Sequence, residues 1–158
     1  MTTQRPPQLL LVESDADHRR SLTNLLSGSG FDVLSAVDYE AASKALDKAV
    51  PDLAVISTRL GKGPSGFVAL RAFKARGGKS VVALLPENNF EEAVSAFRLG
   101  AADVLVKPPR AGELVAALRR GLGQSPEIPA AAPRVGLATP SGDGSDSADD
   151  GASKGAPE

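Results

Sequence analysis

Five short apolar runs, Leu9–Val12, Phe31–Ala36, Leu53–Ile56, Val81–Leu85 and Val104–Val106, are separated by stretches in which apolar residues return every third or fourth position. This alternation restricts the fold more than any other feature of the chain. Runs of three to six residues are strand-length, and the intervening spacing is that of amphipathic helices. Strands alternating with helices build a parallel sheet covered by helices on both faces.

The helical stretches can be placed residue by residue. Leu22, Leu25 and Leu26 share one face of the first. Ala42, Ala45, Leu46 and Ala49 follow i, i+3, i+4, i+7 in the second, and Phe67, Leu70 and Phe73 give a weaker third. Phe90, Ala93, Val94 and Phe97 set the core face expected of the fourth, and Ala111, Leu114, Val115 and Leu118 that of the fifth. Asn89 followed by Glu92 reads as a capping box. Gly28, Gly77 and Gly100 stand where helices should stop. The first, third and fourth runs are almost wholly apolar and suit central positions, whereas "FDVLSA" partly alternates and suits an edge. The expected fold is α/β, a flavodoxin-like (βα)5 doubly wound parallel sheet with strand order 2-1-3-4-5. In that order strands one and three are neighbours and the ligand crevice opens at their carboxyl ends. Glu13, Ser14 and Asp15 would there face Ser57.

Composition sets the domain limits. Of the 35 residues from Gln124 to Glu158, 22 are Ala, Pro, Gly or Ser, and the stretch carries a net charge of −4 without an aromatic residue. Such a segment buries too little apolar surface to offset the entropy of ordering. The expectation is a short N-terminal extension (1–7), one domain (8–123) and a disordered Ala/Pro/Gly/Ser/Asp tail (124–158). Residues 1–123 carry about +3, too little to argue for nucleic acid. There is no cysteine, which excludes thiol catalysis, disulfides and zinc–cysteine sites. No signal-peptide core and no run near the ~20 apolar residues of a membrane span is present, so a soluble cytoplasmic protein with no membrane contact is expected.

Several motifs fail on spacing. "GGKS" (77–80) resembles the end of a phosphate-binding loop, but Phe73 stands where the first glycine is needed, and the segment leaves a helix rather than a strand. "GSG" (28–30) has Val33 in place of the third glycine of a dinucleotide fingerprint. His18, the single histidine, has no cysteine or second histidine with which to share a metal. Beside Arg19 and Arg20 it reads as a solvated surface residue, and no Ser/His/Asp triad follows. No metal and no cofactor are expected.

The segments "LLLVESDADHRRSLTNLL" (9–26), "PDLAVISTRL" (51–60) and "RLGAADVLVKPP" (98–109) together resemble the receiver domain of two-component response regulators, the CheY-like family, over about residues 8–121. The resemblance implies non-enzymatic phosphorelay signalling: a histidine kinase donates a phosphoryl group to an aspartate ending strand three. It also implies an acidic pair after strand one, a Thr or Ser after strand four, a buried aromatic in strand five and a lysine followed by a cis proline. Carried over by position, the acidic pair falls on Glu13 and Ser14 and the acceptor on Ser57. The hydroxyl falls on Leu85, the aromatic on Val104, and the lysine and proline on Lys107 and Pro108. Only the Lys107–Pro108 turn is intact, with Glu13 a partial match. A serine without a base beside it is a poor nucleophile. Mg²⁺ is normally held by one or two carboxylates plus phosphate oxygens, and two of the anionic positions here are serines. Asp15 and Asp17 read as first-turn helix residues, and Asp52 lies at the far end of the sheet. In the emptied pocket, Glu13 and Lys107 are expected to form a partly exposed ion pair.

The expectation is therefore an atypical pseudo-receiver acting by protein–protein contact without phosphorylation, with a homodimer as one form. The resemblance locates the partner surface on the fourth helix, fifth strand and fifth helix, roughly residues 90–120, where Arg98, Arg110, Arg119 and Arg120 would make it basic. No helix-turn-helix pattern follows residue 123, so DNA contact is not expected. Two rivals stay open: a working phosphorelay receiver with an unusual acceptor, and a flavodoxin-like cofactor-binding protein. The second has to do without a phosphate-cradling or aromatic-rich loop, since there is no Trp and a single Tyr, Tyr39.

Overall fold

A computed structural model describes residues 5–61 and 63–124. The tail from Ser125 onward, expected to be disordered, lies outside the described residues, as do residues 1–4. The elements alternate strictly: β1 (Gln8–Val12), α1 (Ala16–Gly28), β2 (Asp32–Ala36), α2 (Tyr39–Lys48), β3 (Leu53–Ser57), α3 (Gly66–Ala75), β4 (Ser80–Leu85), α4 (Phe90–Arg98), β5 (Asp103–Val106) and α5 (Ala111–Gly121). All strand pairings are parallel, in the order β2-β1-β3-β4-β5. The expected flavodoxin-like order is the observed one.

Alternating side chains on the central strands feed two cores. Leu10, Val12, Ala54, Ile56, Val81 and Ala83 meet α2, α3 and α4 on one face through Leu46, Leu70, Phe73 and Ala96. Leu9, Leu11, Val55, Val82 and Leu84 meet α1 and α5 on the other through Leu22, Leu26, Leu114 and Leu118. Each buried leucine contributes about 1.5–3 kcal/mol relative to exposure, so the apolar runs act as the floor of both layers. Four helices start on side-chain caps that satisfy otherwise unpaired amides: Asp15, Asp38, Ser65 and Asn89 accept from His18, Ala41, Phe67 and Glu92.

α4 departs from the expected orientation. Its buried residue is Ala96, whereas Phe90 and Phe97 are 80% and 51% exposed. A 3.6-residue period defines a stripe, not the direction it faces. Here α4 covers β4 and the short edge strand β5, and the small Ala96 lets it approach the sheet while both aromatic rings point outward. The glycines of the failed phosphate-loop motif serve packing: Gly77 has φ +91°, and a Cβ at Gly78 would lie 2.3 Å from the Phe73 ring. No helix among the described residues is long and apolar enough to cross a membrane.

Candidate functional site

The parallel pairing of β1 with β3 brings Val12 beside Ile56, so the next residues, Glu13 and Ser57, meet at the carboxyl end of the sheet. Both are buried, Glu13 being 1% exposed. The Glu13 backbone amide is held by the Ala36 carbonyl at 3.0 Å, which continues the β1–β2 ladder and aims the side chain across the sheet. There the carboxylate collects four partners. Ser57 Oγ donates to Oε1 at 2.5 Å, Lys107 Nζ lies 2.6 Å from the same oxygen, and His18 Nδ1 lies 3.1 Å from it. The Asp15 amide donates to Oε2 at 3.0 Å. Burial alone would raise the Glu13 pKa. Hydrogen bonds from Lys107, Ser57 and the Asp15 amide outweigh it and hold the carboxyl at about 2, against an ordinary 4.5.

The expected Glu13–Lys107 pair forms, with Lys107 19% exposed and Glu13 almost wholly enclosed. The sequence reasoning is corrected in one place. His18 is not a free surface residue. It lies in the first turn of α1, close after the end of β1, and its side chain is only 23% exposed. The apolar period of α1 marks Leu22 and Leu26 and carries no signal for this contact. Histidine and serine converge on one carboxylate oxygen and not on each other, so no nucleophilic triad is assembled. Arg19 Nη1 adds donations to the Glu13 and Ser14 carbonyls at 2.9 and 3.3 Å.

The other expected residues are placed as follows. Ser14 Oγ accepts from the Gly61 amide at 3.1 Å and ties the loop after β3 to the loop after β1. Leu85 is buried at the end of β4, and Val104 packs half-buried against the α2–α4 core. The Lys107–Pro108 bond is cis. Asp15 caps α1 and Asp17 lies in its first turn, whereas Asp52 accepts from the Gln8 amide at the opposite end of the sheet. Of the four arginines expected to make a basic face, Arg119 turns to the Ser29 carbonyl and over the Phe31 ring, and Arg120 pairs with Asp103. That expectation therefore holds at most for Arg98 and Arg110.

Three residues were missed. Thr58, buried beside Ser57, donates to Glu92 Oε1 at 3.3 Å, and Arg59 grips Glu92 Oε2 with Nε at 2.9 Å and Nη2 at 2.6 Å. The hydrogen bond and charge of Glu92 raise the Arg59 pKa, with a smaller contribution from Glu87. Gly66 opens α3 directly against the crevice, where a Cβ would lie 1.7 Å from the Ser57 carbonyl oxygen. A glycine after Ser65 at a helix start was the available signal.

A five-stranded doubly wound sheet in the order β2-β1-β3-β4-β5, with an acid after β1 and a lysine–cis-proline turn after β5, is the arrangement of a receiver domain. The chain matches the family model described as response regulator receiver domain over residues 9–119, and it belongs to that family. It is similar to the DNA-binding response regulator MtrA of Mycobacterium tuberculosis, 32% identical over 82% of this chain and 56% of that protein. It is also similar to the acid tolerance regulatory protein ActR of Sinorhizobium medicae, 36% identical over 80% of this chain and 67% of the relative. Among solved structures, the receiver domain of NtrX from Brucella abortus superposes with a TM-score of 0.68 at 31% identity, covering 74% of this chain and 99% of that one. The chain spans little more than half the length of relatives such as MtrA.

Proposed function

We propose that this receiver domain is degenerate at its phosphorylation site and signals by protein–protein contact independent of phosphorylation. One observation carries the reading: Ser57, at the position the family resemblance assigns to the acceptor aspartate, donates a hydrogen bond to a carboxylate already neutralised by Lys107. An acyl phosphate needs a carboxylate at that position. A serine hydroxyl would need a base free to take its proton, and Glu13, held at about 2, is a weak one. The divalent-metal site that the resemblance implies does not fit these donors either. Ser14 is committed to Gly61, Oε1 of Glu13 to three partners and Oε2 to the Asp15 amide. Among the described residues no group of three or more His, Cys, Asp or Glu side chains could hold a metal ion. Leu85 and Val104 supply neither the hydroxyl nor the aromatic ring of a phosphorylation-driven relay.

The partner surface of this reading is α4, β5 and α5, where Phe90, Phe97 and Val106 are exposed. The partner is a signalling protein or a second copy of the chain, not nucleic acid. Incubation with acetyl phosphate and Mg²⁺, followed by intact mass measurement of wild type and Ser57→Ala, tests the reading. The expected result is no adduct on either. A one-phosphate adduct on wild type that disappears in Ser57→Ala overturns it in favour of an unusual acceptor.

A further inference from the structure

The end of β3 carries two buried hydroxyls facing opposite ways, each donating to a carboxylate that also holds a cation. Ser57 donates to Glu13, which holds Lys107, and Thr58 donates to Glu92, which holds Arg59. The first set joins β1, β3 and the turn after β5. The second joins β3 and its following loop to the first turn of α4.

Two features show that the second set does more than decorate the surface. Glu92 occupies the capping-box position three residues after Asn89, and Asn89 Oδ1 accepts from the Glu92 amide at 3.0 Å. In a complete box the Glu92 side chain would return to the Asn89 amide. Among the described residues it turns instead to Thr58 and Arg59, exchanging a local bond for one between elements 33 residues apart. Moreover, α4 has one buried residue, Ala96, whereas α1 and α2 have two each, α5 three and α3 four. With so little apolar burial, the polar contacts at its first turn carry more weight in α4 than in the other helices.

We infer that Arg59 is a positioning residue which, with Thr58 and Glu92, latches the first turn of α4 to the end of β3 and holds the helix in one seat without a phosphoryl group. The inference rests on the proposed function only in treating α4 as part of the partner surface. Both Arg59 nitrogens bind one oxygen of Glu92, Oε2, while Thr58 binds the other, Oε1, so the two residues together set the orientation of the carboxylate. Thr58, enclosed behind it, gives the carboxylate a second anchor.

The test is backbone amide exchange, read residue by residue by NMR on the full chain, for wild type, Arg59→Gln, Glu92→Gln and the double variant. For an exposed pair with one anchored partner, α4 amides should exchange about two- to fivefold faster in each single variant at low salt. The double variant should be no faster than the singles, and the wild-type advantage should shrink in molar salt. Amides of β1 and β3 should keep their wild-type rates. Unchanged α4 rates, additive effects in the double variant, or uniform acceleration across the domain would each overturn the latch. A phosphate adduct in the preceding assay would sink the proposed function while leaving these exchange rates untouched, so the two failures are distinguishable.

Discussion

Replacing Glu13 by glutamine removes the charge on which Lys107 and Ser57 converge while preserving side-chain size. Two routes give its cost. A folded-state pKa of about 2 against an ordinary 4.5 corresponds to roughly 3 kcal/mol of stability at neutral pH, since each tenfold change in proton affinity is about 1.4 kcal/mol. Removing one partner of a buried pair costs about 3–5 kcal/mol, reduced here because Lys107, 19% exposed, can turn toward water. Both routes point to a loss of about 2–3 kcal/mol, or a Tm lower by roughly 8–12 °C for a domain of this size. Because the folded pKa is depressed, this stability is fully present above pH 4.5 and is lost as pH falls toward 2. Urea denaturation followed by circular dichroism at pH 7, 4.5, 3 and 2 therefore should show the gap between wild type and Glu13→Gln closing across that window. Adding Lys107→Met to Glu13→Gln should recover most of the loss at pH 7, because no ammonium is then left unpaired. A gap below about 1 kcal/mol at pH 7, or one equally large at pH 2, would refute the reasoning.

Other substitutions probe separate parts of the structure. Gly66→Ala places a methyl 1.7 Å from the Ser57 carbonyl oxygen and should cost about 3 kcal/mol or more, beyond ordinary overpacking, measured by thermal denaturation. Ser57→Ala removes a buried donor and should cost about 1–2 kcal/mol, with a Glu13 pKa above the wild-type value by carboxyl-carbon NMR titration. Phe90→Ser and Phe97→Ser, on exposed rings, should alter stability by no more than about 0.5 kcal/mol. They should nevertheless abolish partner capture if α4 is the docking face.

What could be read from the amino acids follows how local each signal is. Strand order came from the contrast between uniformly apolar runs and the alternating second run, and that contrast is a direct imprint of burial on one face or two. Glu13, Ser57 and Lys107 could be brought together because a parallel sheet aligns the ends of its strands and a lysine leading into Pro108 marks the last one. His18 was misread because its contact is with the Glu13 carboxylate in the loop before α1, which the apolar period of the helix does not encode. The Arg59–Glu92 grip was invisible because it joins residues on different elements, and Glu92 already had a satisfactory local explanation as a cap. The outward turn of Phe90 and Phe97 was unreadable for a related reason. A helix beside an edge strand has less sheet to cover, so the core need not claim its whole apolar stripe.

The two carboxylate sets differ in what it takes to undo them, and that difference bears on how such a domain could be switched. Any agent shifts a conformational balance only by its difference in affinity for the two states. Displacing Glu13 from Ser57 and Lys107 exposes an enclosed carboxylate and an ammonium that are each other's principal neutralisers, at the ~2–3 kcal/mol argued above before any new contact forms. The Arg59–Glu92 grip lies at the solvent edge, where exposed pairs are weak. Reversing a strongly biased equilibrium takes about 5.5 kcal/mol of differential binding. A partner meeting α4 spends little of that on the outer latch and much of it on the inner pair. Under the proposed function, regulation therefore acts through the seat of α4, with the Glu13 centre remaining intact in both states.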